Sequence, residues 1–279
     1  MAIQMIQIKN PREGDPLLTI EVDERGRDKK ETLVFVHGLG GNLRQWSAAL
    51  DFFETDYHVI ALSLQGHGQS DKPEGDHSYS LDAYVQTVLA VLEQLDVKTC
   101  TWVGNSMGGV VGYALMEKVP GIIRHIITNG TAPKITTGKA ALKLLKWADR
   151  TLIGLMGFDG YLSFAAKHTS TYDHAQREVL DLFRQSTPRT IITSHQVLGV
   201  YDFTGVIAKE GVPVTIIESP DDKSINGYIR PIRDQLDSLD HVRFVAFPKT
   251  GHVCNLELPE AYNQLVDQAI SMHNPHPQG

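Results

Sequence analysis

Apolar and polar positions recur along this chain with two different periods, and the switches between them divide it into strands and helices. Residues 4–9 and 17–23 alternate with period two, as half-buried strands do, and the short turn Pro11-Arg12-Glu13-Gly14-Asp15 between them predicts an antiparallel pair. Residues 32–36, 57–64, 100–104, 122–128, 213–217 and 242–247 are instead continuous apolar runs, the pattern of strands covered on both faces. Helical spacing fills the intervals. Trp46, Leu50 and Phe53 share one face of residues 43–53, and Leu81, Tyr84, Val85, Val88, Leu92 and Leu95 share one face of a helix that Ser80 caps. Val110, Val111, Tyr113, Ala114 and Leu115 continue at helical spacing after the fifth run, and residues 229–239 and 259–270 read as two further helices. Strand and helix in alternation predict an α/β fold, a mostly parallel sheet with helices on both faces.

After Thr131-Ala132-Pro133 the rhythm changes. Residues 138–205 carry helical periodicity and no buried strand, and the alternation resumes near Val212. The expected division is therefore a core of residues 1–132 and 206–279 with a helical insertion at 133–205. The polar, Pro-rich stretch 273–279 is expected to fray.

Composition removes several classes of function. A chain of 279 residues with 42% hydrophobic content buries a sizeable core, and its net charge of −7, without a basic stripe, argues against a nucleic-acid partner. No apolar run reaches membrane-spanning length, and the amino-terminal alternation lacks the apolar centre of a signal peptide. Two cysteines, Cys100 and Cys254, make no disulfide framework and have no neighbours at metal-ligand spacing, which leads to the expectation of a reducing cytoplasm. Cys254 reads as a small buried residue and Asn42 as a helix cap.

Candidate chemistry concentrates at strand ends. Gly104-Asn105-Ser106-Met107-Gly108 places a serine where the fifth run becomes a helix, with glycine two positions before and two after. That G-x-S-x-G elbow holds a serine above the sheet edge at a helix N-terminus, where an oxyanion is favoured. A serine hydroxyl needs a base. His252, after the last strand and next to Gly251, is the histidine placed to serve. An orienting acid is expected between them in the chain, and the strand ending Glu218-Ser219-Pro220-Asp221-Asp222 offers two adjacent aspartates.

On these residues the chain resembles the α/β-hydrolase superfamily over essentially its whole length. Gly104-Asn105-Ser106-Met107-Gly108-Gly109 is similar to its elbow, and His37-Gly38-Leu39-Gly40 to its oxyanion-hole loop. Gly251-His252 is similar to its histidine loop, and Gly66-His67-Gly68-Gln69-Ser70 to the turn after its fourth strand. The resemblance implies the α/β-hydrolase fold and a triad of Ser106, Asp222 and His252. It selects Asp222 over Asp221 because the family's acid stands third after a strand-end glycine, a position that Ser219 occupies here. It also implies an oxyanion hole made by the backbone N–H groups of Leu39 and Met107, each worth about 2.7–4 kcal/mol of barrier. One departure is Ser63 and Gln65, where the family usually carries an aspartate and an arginine or proline, which weakens a structural anchor near the site.

The implied activity is hydrolysis of an ester, thioester or similar small apolar carbonyl compound through an acyl-enzyme on Ser106, with no metal or cofactor. The insertion becomes a cap, with Trp147, Leu152, Ile153, Leu155, Met156, Phe158, Tyr161 and Phe164 as an apolar ceiling. The elbow's Asn-Ser-Met-Gly-Gly is also similar to that of hydrolases that cleave a carbon–carbon bond in vinylogous diketone ring-fission products. That alternative needs a cationic clamp near the cap, for which Arg150, Arg184 and Arg189 are candidates. A non-catalytic ligand-binding receptor on the same fold is the third reading.

Overall fold

The computed structural model describes residues 3–10, 14–136 and 138–273. Residues 11–13 of the first expected turn and 274–279 of the polar tail lie outside them. The strands are β1 (Ile3–Ile8), β2 (Leu18–Arg25), β3 (Thr32–Val36), β4 (His58–Leu62), β5 (Cys100–Asn105), β6 (Ile123–Asn129), β7 (Lys134–Thr136), β8 (Val200–Asp202), β9 (Val214–Glu218) and β10 (Val242–Ala246). Eight of them form one sheet in the order β1-β2-β4-β3-β5-β6-β9-β10. Only β2 runs against its neighbours; every pairing from β4 to β10 is parallel.

The continuous apolar runs are explained by what covers the sheet. In β3, Val34 and Val36 enter one core while Leu33 and Phe35 enter the other, and in β4 Ile60 and Leu62 oppose Val59 and Ala61 in the same way. The helices are α1 (Ser47–Phe53), α2 (Leu81–Gln94), α3 (Met107–Lys118), α4 (Lys139–Thr169), α5 (Asp173–Phe183), α6 (Pro188–Ser194), α7 (Thr204–Glu210), α8 (Lys223–Ile229), α9 (Arg233–Asp237), α10 (Cys254–Glu257) and α11 (Pro259–His273). Helices α2 and α3 cover the first core, and α1 and α11 the second. Each large apolar side chain so buried contributes roughly 1.5–3 kcal/mol. Both expected caps are present: Asn42 Oδ1 accepts from Arg44 N–H at 3.0 Å, and Ser80 Oγ from Ala83 N–H at 3.2 Å.

Three differences from the sequence pattern have local causes. Of the helix expected over 229–239 only α9 is α-helical: α8 ends at Ile229 and a 3₁₀ turn Arg230–Ile232 follows, because Pro231 lacks the N–H a continuous helix needs. The first turn of the helix expected over 43–53 is 3₁₀ (Leu43–Trp46). The stretch 138–205 contains a strand after all: β8 pairs antiparallel with β7, so the two feet of the helical excursion are hydrogen-bonded together. Three-residue strands leave no periodicity to read.

The anchor that Ser63 and Gln65 lack is rebuilt from β2. The buried Glu21 carboxylate accepts from Ser63 Oγ at 2.8 Å and Gln69 N–H at 2.9 Å, and pairs with Arg44 at 3.0 Å.

Candidate active site

β5 lies between β3 and β6 in the sheet and is buried throughout, so its carboxyl end is fixed from both sides. The chain turns there into α3 through Ser106, whose φ of 52° and ψ of −116° are strained for a residue with a side chain. The strain is held by close packing. A Cβ on Gly104 would lie 2.6 Å from the Gly108 carbonyl carbon, and one on Gly108 would lie 2.1 Å from the Val36 oxygen. Ser106 N–H donates to Asn129 O at 2.9 Å, and Thr131 Oγ1 donates to Ser106 O at 2.9 Å. Ser106 itself stays partly accessible, and Met107 opens the helix, so its N–H has no partner within α3.

His252 comes from the loop after β10. Its backbone oxygen accepts from Asn105 Nδ2 at 2.9 Å, which ties the histidine loop to the elbow. The neighbouring Gly251 N–H donates to the buried Glu257 Oε2 at 2.5 Å. His252 Nδ1 donates to Asp222 Oδ2 at 2.7 Å, while Asp222 Oδ1 accepts from Ser224 Oγ at 3.0 Å and Ile225 N–H at 3.3 Å. The neighbouring Asp221 is exposed. Burial alone would lower the His252 pKa, but the hydrogen bond and charge of Asp222, with Glu257 adding, leave it raised above the ordinary imidazole value. For Asp222, burial pushes upward and the His252 contact outweighs it, so the carboxyl sits below its ordinary value.

Ser106, His252 and Leu39 line one cavity of about 210 Å³. Its remaining wall comes partly from the core, through Gly38, Gln45 and Asn105, and partly from the helical excursion. Gln45 was not singled out by its sequence context. Its Nε2 donates to Asn105 Oδ1 at 2.9 Å and its Oε1 accepts from Gly38 N–H at 3.4 Å, so it braces the elbow against the Leu39 loop. His37 is wholly buried: Nδ1 donates to Gly38 O at 2.7 Å and Nε2 accepts from Leu64 N–H at 3.0 Å. Burial pushes its pKa down to about 4, so it is a neutral strut between the ends of β3 and β4.

The apolar ceiling differs from the expected one. Of the eight residues expected there, only Tyr161 lines the cavity, while Trp147 and Leu155 are 62% and 79% exposed. α4 bends at Gly157, where φ is 72°, and the residues after the bend (Tyr161, Leu162, Ala165) face the cavity instead. Val179, Leu182 and Phe183 from α5 and Ile191 from α6 complete it. None of Arg150, Arg184 and Arg189 is in the cavity wall. Arg184 pairs with Asp159 and Asp181, and Arg189 with Asp76. Two polar residues of the excursion were not singled out by their sequence context: Thr169 and His195 line the cavity, the latter with Nδ1 2.7 Å from Asp149 Oδ2.

Both cysteines are free and buried, and burial pushes the Cys100 thiol up to about 12. Among the described residues there is no cluster of three or more metal-ligating side chains, and no helix is long and apolar enough to cross a membrane.

Comparison with known proteins agrees with this architecture. A family profile described as alpha/beta hydrolase fold matches residues 31–259. The chain is 25% identical over 258 residues to 3-oxoadipate enol-lactonase 2 of Acinetobacter baylyi, covering 89% of this chain and 92% of that protein. Among solved structures, a thermophilic esterase from Thermogutta terrifontis superposes with a TM-score of 0.83 at 16% identity, over 97% of this chain and 99% of the other. The enol-lactonase from Burkholderia xenovorans gives 0.75 at 18% identity, over 91% and 96%.

Proposed function

The chain belongs to the α/β-hydrolase family of enzymes, and we propose that it is a serine hydrolase that cleaves small ester or thioester substrates through an acyl-enzyme on Ser106. The observation that carries this reading is a strained, accessible serine sharing one cavity with a histidine whose Nδ1 is held by a buried aspartate. With Nδ1–H committed to Asp222, Nε2 is the ring atom left to take the Ser106 proton, since neutral imidazole has one donor and one acceptor nitrogen.

In the proposed cycle Ser106 Oγ attacks the substrate carbonyl as its proton passes to His252 Nε2. The oxyanion is held by the N–H groups of Leu39 and Met107, with the N-terminus of α3 adding its dipole. The imidazolium, stabilised by Asp222, returns the proton to the leaving oxygen or sulfur, and a water then repeats the sequence to release the acid. No step requires a metal or cofactor. Residues 133–205 serve as the cap that roofs the cavity, and the two unpaired cysteines support a cytoplasmic location. An enol-lactone is itself a cyclic ester, so the similarity to an enol-lactonase supports the same bond class. The test is covalent: a fluorophosphonate should label Ser106 together with loss of nitrophenyl-ester turnover, and label on any other residue overturns the assignment.

A further inference from the structure

The cavity is lined by two histidines, and the mechanism above uses one. His195 stands in the 3₁₀ turn His195–Leu198 that follows α6. Its Nδ1 lies 2.7 Å from Asp149 Oδ2; the contact is short enough for an ion pair, though the N–H is not aimed along it. Tyr161 OH donates to the other oxygen of Asp149 at 3.0 Å, across the bend of α4. Asp149 is buried, and a carboxylate buried in a helical excursion is costly unless its partners hold it.

The other polar side chains of the wall are spent on the protein. Gln45 and Asn105 bond each other and the loops around the elbow, and Thr169 Oγ1 donates to Ala166 O at 2.7 Å. His195 Nε2 has no hydrogen-bonding partner among the described residues. Around it the wall is apolar, with Leu162, Leu182, Phe183, Ile191 and Leu198. A small molecule in this cavity therefore meets the proposed reacting groups from the core and one further uncommitted polar atom from the cap.

We propose that His195 is a specificity-determining residue: oriented by Asp149 and Tyr161, it binds a carboxylate that the substrate carries away from the carbonyl that Ser106 attacks. The proposal rests on the serine-hydrolase reading and adds to it the class of acyl substrate. Asp149 occupies the Nδ1 side of the ring and leaves Nε2 for the ligand. A substrate carboxylate on that side accepts from Nε2–H, so that the ring bridges two carboxylates. A neutral chain end in the same place would leave the ring nitrogen facing hydrocarbon.

The test compares three nitrophenyl esters of one chain length: the monoester of glutaric acid, its neutral amide, and the pentanoate, each corrected for spontaneous hydrolysis. The readout is kcat/KM for the carboxylate ester divided by that for the pentanoate. His195→Leu should lower that ratio roughly 10- to 100-fold, the scale of one hydrogen bond to a charged group. Tyr161→Phe, acting through Asp149, should lower it a few-fold and through KM more than kcat. A folded His195→Leu protein with an unchanged ratio overturns the proposal, as does an equal drop for the neutral amide. A measurement on the unaltered protein guards against misfolding of the variants. Glutarate should inhibit pentanoate turnover at concentrations at least about tenfold lower than glutaramide does, and equal inhibition overturns the proposal. Should the unaltered protein turn over none of the esters and take no fluorophosphonate, the hydrolase reading fails instead; calorimetric binding of glutarate, lost in His195→Leu, then still decides the role of His195.

Discussion

The core sheet and the inserted helices each bring a histidine–aspartate pair to the same cavity, and in both the Nδ1–carboxylate distance is 2.7 Å. Their settings differ. His252 and Asp222 stand on loops that leave neighbouring parallel strands, β10 and β9, and Asp222 is further fixed by the first turn of α8. His195 and Asp149 stand on two separate segments of the excursion, joined by side chains across a bent helix. A sheet fixes loop ends through continuous backbone ladders, whereas helices on helices are fixed by side-chain packing alone. On the proposed reading, reaction chemistry stands on the first kind of support and substrate selection on the second, because selection tolerates adjustment.

The largest break in this comparison comes from the core. Ser106→Ala should abolish fluorophosphonate labelling and ester turnover together, measured by intact mass and nitrophenolate release. Labelling that persists in that variant sinks the proposed nucleophile.

Next in size is the acid. Asp222→Asn should cost on the order of 10⁴-fold in kcat, as the loss of an orienting carboxylate does in such triads. Asp221→Asn, at an exposed position, should stay within a few-fold. A reversed ranking would move the acid by one residue.

Removing residues 138–198 behind a short Gly/Ser linker asks whether the cap supplies any of the chemistry. The deletion strips Leu182, Phe183 and Ile191 from the cavity and Val197 from the main core, so some stability is lost. A soluble product should still react with the fluorophosphonate while its preference among ester chain lengths falls roughly tenfold, about what one or two methylenes in an apolar pocket are worth. Complete loss of labelling in a folded product would place reacting groups in the cap.

The smallest effect is a displacement in pH. In the proposed cycle His252 must be neutral to accept the Ser106 proton, and its pKa is raised, so kcat/KM should fall with decreasing pH along a limb centred above the ordinary imidazole value of about 6.5. Asp222→Asn removes the main raising influence and leaves burial, which lowers. The limb of its residual labelling rate should therefore move to lower pH. A limb that stays in place would mean that another group controls it. The stability linked to the raised histidine is complete below its unfolded pKa and disappears as pH rises through the folded one. That linked to the lowered Asp222 disappears as pH falls through its folded value.

Much of this molecule was legible along the chain because its determinants are local. Leu33, Val34, Phe35 and Val36 are apolar on both faces whatever the partner strand is, and Ser80 and Asn42 cap helices within three residues of themselves. The glycines at 104 and 108 declare a turn in which no Cβ fits, so a serine between them was conspicuous. Only the tertiary structure decided what long-range packing controls. Glu21 replaces the missing anchor through Ser63, 42 residues away, and Gln45 braces Asn105 at a separation of 60. With the bend at Gly157, Trp147 and Leu155 are exposed and Leu162 lines the cavity of Ser106, against the pattern of large apolar side chains. His195 met Asp149 by the same folding of the excursion on itself. Periodicity reports that a helix has an apolar face; the angle at which that helix lies across the sheet, and hence what its polar groups touch, is set by packing between elements and is written in no single stretch.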